Sequence, residues 1–199
     1  MPFVSMNNLA IAILAGGASS RMGRDKAGLR LANNQTLLEY MCKKYSNCLV
    51  FSSGKSSTRV NNYPEVADLF DLRLGPVAGI VSSLSWLINT HPTIKHCIFI
   101  PVDLAYSSMA DLSLLIAAKY AVAYFKDNPL PLKIEISAAS WEVCHKVSNE
   151  MQLLGGYSVS KFIQHFQSRI ELSSITPQSL TNINYIEDWE RFLNESMLK

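Results

Sequence analysis

What the chain lacks narrows its function before any motif is considered. Its four cysteines, Cys42, Cys48, Cys97 and Cys144, include no CxxC pair. Neither a zinc site nor a dithiol redox site therefore has its usual ligand spacing. Cys97 lies in an apolar run, and all four are expected to be reduced, structural thiols. His91, His96, His145 and His165 share no metal spacing either. No stretch approaches the ~20 consecutive apolar residues of a membrane-spanning helix. The net charge is only +2, and Lys and Arg form no cluster, which argues against a nucleic-acid partner and against a membrane surface. The apolar run at residues 9–15 is followed by small residues, as in a secretory leader, but no Lys or Arg precedes it. A leader needs that basic start, so the run is expected to be an internal strand of a cytoplasmic protein. Repeats, low-complexity tracts and linkers are absent.

What is present is an alternation of short β-rich runs and helical patterns. The 199 residues, 48% hydrophobic and 17% charged, suit a single domain over 1–199. Residues 9–15 (LAIAILA) and 97–101 (CIFIP) read as strands buried on both faces. Further strands are expected at 48–52, 64–69, 120–125 and 169–173. A strand is also expected at 130–136, where Pro129 and Pro131 would confine it to an edge or a strand start. Helices are expected near 36–45, where Thr36 and Glu39 form a capping box, and at 77–89, 109–119 and 138–168, with a break at Gly155–Gly156. A last helix begins near Tyr185. The order predicts an α/β three-layer sandwich with a mainly parallel, Rossmann-like sheet. Ligands in such sheets sit at strand carboxyl ends, and two such ends carry chemistry: the one after Ala15 and the one at Asp103.

Residues 14–26 (LAGGASSRMGRDK) follow the first strand directly. Gly16 and Gly17 allow a sharp turn and close ligand approach. Bare N–H groups in such a turn form an anion-binding concavity. Arg21 offers a planar fork for phosphate and Lys26 a mobile charge, with Gly23 clearing space between them. The competing reading is a plain glycine-rich connection with two solvated cations. A Walker A loop is excluded by spacing, and G-x-G-x-x-G is absent. A second Walker-like ending, Gly54-Lys55-Ser56, fails because Leu49 stands where its first glycine belongs. Asp103 closes the second buried run, where one carboxylate together with substrate phosphates suits Mg²⁺.

The string at 14–26 resembles the signature LAGGxSxRMGxDK of the molybdenum cofactor guanylyltransferases, a branch of the α/β nucleotidyltransferases. Related cytidylyltransferases tend to carry LAAG, so the Gly16–Gly17 pair favours guanine. Asp68 ahead of Gly75-Pro-Val-Ala-Gly79 is similar to the family's aspartate and GPLAG. Asp103 in Pro101-Val-Asp-Leu-Ala105 matches the aspartate of PCDTP, with Leu104 and Ala105 in place of Thr-Pro. Asn182 and Asn184 match the asparagines of VNVNTPEEL. Ser52 and Ser53 stand near the place of an asparagine that serves the nucleotide in the family.

The resemblance implies a nucleotidyltransferase sheet whose N-terminal half binds nucleotide and whose C-terminal half binds acceptor. Leu14, Ala15, Gly16, Gly17, Gly23, Lys26, Ser52, Asp68, Gly75 and Gly79 would bind GTP. Arg21, Lys26 and Asp103 would be catalytic, with Mg²⁺ on Asp103, and Asn182 and Asn184 would contact the acceptor. GMP would pass to the phosphate of molybdopterin, with docking to proteins that deliver or receive the cofactor. Two other readings stand beside it. One is a nucleotidyltransferase with another acceptor, such as a sugar phosphate. The other is a catalytically weak nucleotide-binding or partner-binding protein.

Overall fold

A computed structural model describes residues 6–16, 25–54, 56–70, 74–173 and 177–196. In chain order the main elements are β1 (Leu9–Leu14), α1 (Leu37–Lys44), β2 (Leu49–Ser53), β3 (Glu65–Val66), α2 (Pro76–Thr90), β4 (His96–Pro101) and α3 (Met109–Ala117). These are followed by β5 (Val122–Phe125), β6 (Asn128–Glu135), α4 (Ala138–Leu154), α5 (Val159–Gln164), β7 (Arg169–Leu172) and α6 (Ile186–Ser196). The strands form one seven-stranded sheet in the order β3-β2-β1-β4-β6-β5-β7. Only β6 runs against its neighbours; every other pairing is parallel.

Strand alternation sorts the core onto two faces. Ala10, Ala12, Leu14, Phe51, Cys97 and Phe99 pack with α2, α4 and α5. Leu9, Ile11, Ile13, Val50, Ile98 and Ile100 pack with α1, α3 and α6. All six residues of β1 are buried, as a central strand covered on both sides requires. This is the three-layer sandwich read from the alternation of elements.

Local chemistry sets the helix ends. Glu39 Oε2 accepts from Thr36 N at 2.7 Å while Thr36 Oγ1 accepts from Glu39 N at 3.2 Å, the reciprocal cap expected from T-x-x-E. Ser108 with Asp111 and Ser137 with Ser140 do the same for α3 and α4. Gly155 ends α4 at φ 69°, in the left-handed cap that glycine tolerates best.

The strand at 130–136 takes the second of the two places that its prolines allowed, with both near its start. It is β6, an interior strand between β4 and β5, and not an edge. Pro129 and Pro131 fit because they stand at its beginning. The ladder to β4 uses Leu132 to Glu135 only, and the pairing to β5 shifts register between Tyr124 and Phe125. The missing proline N–H groups thus fall where neither ladder needs a donor. The third strand is also shorter than 64–69, covering Glu65–Val66 alone.

All four cysteines are free thiols, and burial pushes Cys42 and Cys144 up to about 12. Cys42, Cys97 and Cys144 are buried packing groups, and Cys48 is half-buried beside Met6. Lys133 on β6 is only 2% exposed, and its ammonium donates to the carbonyls of Ala118 and Tyr120 just past α3. A cation there also suits the helix dipole.

Opposite Glu135 and two pairs along the ladder from Lys133, His96 Nδ1 is buried without a hydrogen-bond partner among the described residues. Burial first, then the Lys133 charge, holds the His96 imidazolium below its ordinary 6.5, while Glu135 opposes. Below 6.5 the unfolded chain therefore binds the proton more tightly than the folded chain. Stability contributed by neutral His96 is present above 6.5 and lost as pH falls through the folded value. Urea midpoints measured from pH 7.5 to pH 5.5 should fall more for the native chain than for His96→Gln. Parallel slopes would remove His96 as the cause.

Candidate active site

The chain moves from β1 outward to β2 and β3, then returns to place β4 on the other side of β1. The carboxyl ends of β1 and β4 are therefore a topological switch point, where such sheets open a crevice. Val102 N donates to Leu14 O at 3.1 Å, which keeps the two strand ends together.

Three sequence-distant side chains meet there. Lys26 Nζ lies 2.7 Å from Asp103 Oδ2 and 2.9 Å from Asn184 Oδ1. The Lys26 and Asp103 side chains are 13% and 18% exposed, so the pair is largely withdrawn from solvent and only partly screened. Lys26 opens a 3-10 turn, Lys26–Gly28, and Asp103 follows the end of β4. Asn184 is carried by the segment before α6. There Ile183 N donates to Asp103 O at 2.8 Å, and Asp188 accepts from the N–H groups of Asn184 and Tyr185 at 3.0 Å each. Asn184 thus both opens the last helix and reaches the site.

Asn182 behaves differently. Residues 181–184 form no strand, and Asn182 is exposed on the far side of buried Ile183. The expected pair of amides on one strand face is not formed, because this segment bonds to the β4 loop and not to a strand. Leu104 and Ala105, which replace Thr-Pro, are 1% and 0% exposed within the core beside α1 and α3.

The second half of the crevice lies between β1, β2 and α2. Ala15 N donates to Ser53 O at 2.8 Å. Gly54, at φ 95°, stands so close to Gly16 that a Cβ would lie 2.8 Å from its Cα and N. Ser53 Oγ donates to Gly79 O at 3.0 Å and accepts from Ser83 Oγ at 2.9 Å. A Cβ on Gly79 would meet Ser53 Oγ at 3.0 Å and Asp68 Oδ1 at 3.7 Å. Asp68 and Gly79 are therefore neighbours, as the spacing of the two suggested. Leu69 N donates to Ser82 Oγ at 2.9 Å, fastening the Asp68 loop to α2. Gly75 caps α2 at φ 85° with Pro76 behind it, and no side chain caps that end. Helix N–H groups at such an end favour electron-rich ligand atoms. Ser52 is buried on the opposite sheet face, among the residues toward α1. Gly17, Arg21 and Gly23 lie outside the described residues.

Three contributors escaped the sequence reading: Asp25, Ser82 and Ser83. The two serines interrupt the inward apolar face of α2 and are 1% and 0% exposed, which is the signal that could have exposed them. Buried hydroxyls at inward helix positions need partners.

Among the described residues no three His, Cys, Asp or Glu side chains group as metal ligands. A lone carboxylate such as Asp103 fits Mg²⁺, which takes one or two carboxylates and completes its shell with water and substrate phosphate. No described helix is long and apolar enough to cross a membrane.

Residues 11–167 match the family model of the MobA-like NTP transferase domain. A molybdenum cofactor guanylyltransferase of Xanthomonas euvesicatoria pv. vesicatoria is 29% identical over 193 residues, covering 92% of this chain and 94% of the relative. One from Rhizobium johnstonii is 33% identical over 112 residues, covering 56% and 52%. The crystal structure of molybdopterin-guanine dinucleotide biosynthesis protein A from Archaeoglobus fulgidus superposes with a TM-score of 0.74 at 18% identity, over 96% of this chain and 100% of that one. With the switch-point crevice, its Lys–Asp–Asn convergence and a matching family model over most of its length, this chain belongs to the MobA-like NTP transferase family and is a nucleotidyltransferase.

Proposed function

We propose that the chain transfers GMP from GTP to the terminal phosphate of molybdopterin and releases pyrophosphate. The observation that carries this reading is the meeting of Lys26, Asp103 and Asn184 at the carboxyl ends of β1 and β4. An acceptor phosphate oxygen forms a bond to the α-phosphorus as the bond to the β-phosphate oxygen breaks. The nucleophile is already ionised, so the protein needs to position the reactants and offset charge more than to move a proton. Lys26 and Arg21 serve the triphosphate, together with the backbone of Gly16, Gly17 and Gly23. Asp103 would hold Mg²⁺, which when bound offsets charge on the phosphates. Asp68, Gly75 and Gly79 serve the base, where the absence of side chains at the two glycines admits a flat ring. Leu14 forms the wall behind it, whereas Ser52 and Ala15 turn to the α1 side of the sheet, so any part they play in the nucleotide site is through the main chain. The N-terminal half thus supplies most of the nucleotide site. The C-terminal half supplies the acceptor side through Asn184, with Asn182 nearby in sequence.

The departure at Leu104 and Ala105 does not weaken this reading, since both side chains face the core. Calorimetry with GTP, ATP and CTP, each with Mg²⁺, tests the base assignment. GTP is expected to bind at least tenfold more tightly, about 1.4 kcal/mol; equal binding of all three would overturn guanine specificity. Pyrophosphate release with molybdopterin set against sugar phosphates tests the acceptor, and release only with a sugar phosphate would replace it.

A further inference from the structure

Two features that the proposed chemistry leaves unused lie against each other. One is Asp25, the residue before Lys26. The other is the segment after β2 that carries the misleading Gly54-Lys55-Ser56. Asp25 Oδ2 accepts from Ser56 Oγ at 2.9 Å, from Ser57 Oγ at 2.8 Å and from Ser57 N at 3.2 Å. Its Oδ1 accepts from Ala27 N at 3.0 Å, capping the Lys26–Gly28 turn. Thr58 N donates to Ser56 Oγ at 3.0 Å, which leaves the Ser56 proton directed at Asp25. A Cβ on Gly28 would lie 2.8 Å from Thr58 Oγ1, so the turn rests directly on the same segment. Burial raises the Asp25 carboxyl, but the bonds from Ser57, Ser56 and Ala27 outweigh it and hold the group below its ordinary 3.8.

The loop after β1 is therefore fastened at both ends to the loop after β2. Gly54 closes on Gly16 at the start, and Ser56 and Ser57 grip Asp25 at the finish. Asp25 and Lys26 then point their side chains at different partners, one to the β2 loop and the next to Asp103 and Asn184. A lysine on a flexible stem loses rotamer freedom when it holds two partners. Fixing the main chain one residue earlier limits the arc that its stem must search.

We propose that Ser56 and Ser57 are positioning residues, which by gripping Asp25 set the main chain so that the Lys26 ammonium reaches Asp103 and Asn184. This goes beyond the nucleotide assignment, and it rests on that assignment only for its effect on turnover. The test uses the full chain as Ser56→Ala/Ser57→Ala, with Ser56→Thr/Ser57→Thr as the version that keeps both hydroxyls. One readout needs no nucleotide: the rate at which a pulse of acetic anhydride acetylates Lys26, followed by mass spectrometry. The second is KM for GTP with Mg²⁺. The alanine pair should acetylate Lys26 roughly tenfold faster and raise KM by a similar factor, while the threonine pair stays near the native chain. Unchanged Lys26 reactivity in the alanine pair would overturn the proposal whatever KM does. Faster acetylation with unchanged KM would uphold the positioning role and overturn the triphosphate role of Lys26 instead. Ser57 is exposed, so the single Ser57→Ala change gives the same ordering at smaller amplitude should the double variant fold poorly.

Discussion

Asp103→Ala should lower nucleotidyl transfer by about 10³-fold, near 4 kcal/mol of transition-state stabilisation. The carboxylate is the group that would hold Mg²⁺, and it also accepts from Lys26 at 2.7 Å. Its removal would therefore withdraw the proposed metal ligand and leave a largely buried ammonium without its carboxylate, still facing Asn184. Lys26→Ala should cost about 10²-fold by itself. Because the two side chains touch and are proposed to act on the same phosphates, the double variant should fall short of the product of the two single losses. Single-turnover rates for the three variants check this. Full additivity would mean that the two side chains act on separate steps, and native activity in either single variant would remove it from the site.

Gly54→Ala is expected to destabilise the fold by about 3 kcal/mol or more and to weaken nucleotide binding in the same step. Two costs coincide at this residue. Its φ of 95° disfavours any side chain, and the new Cβ would sit 2.8 Å from the Cα and N of Gly16, which are backbone atoms that cannot swing aside. Relief requires the start of the loop after β1 to move away from β2. Gly155→Ala provides the control. It also has positive φ, 69°, but a Cβ there meets nothing within 4 Å, so the loss should be only about 1 kcal/mol with binding intact. Urea unfolding with and without GTP separates the two. Similar losses for both variants would show that the contact with Gly16 is unimportant.

Much of the architecture was legible because it is written locally. Residues 9–15 announce a doubly covered strand, Thr36 and Glu39 announce a helix start, and Gly155–Gly156 announces the end of α4. Lys26 and Asp103 were legible as separate charged residues at two strand ends, and the sheet then brought them together. What escaped depends on which strand ends lie side by side. The grip of Ser56 and Ser57 on Asp25 exists only because β2 neighbours β1, and nothing in the spacing of serines states that. The prolines of β6 left two places open, an edge or a strand start, because proline marks where a ladder is absent without saying how soon the ladder begins; the sheet takes the second. Leu104 and Ala105 looked like changes in the site, although burial places their side chains in the core.

The Lys26 contacts also carry a consequence for how the molecule comes into being. They join residues 77 and 158 positions apart, so the crevice is built almost entirely from long-range closure. Contacts of that kind form late, since the chain must give up the entropy of a large loop before they reward it. During synthesis β1, β2, α2 and β4 emerge well before the segment at 183–184. A partly made chain can therefore have Lys26 and Asp103 in place while lacking Asn184 beside them. Completion of the C-terminal helix is what turns a folded sheet into a finished site.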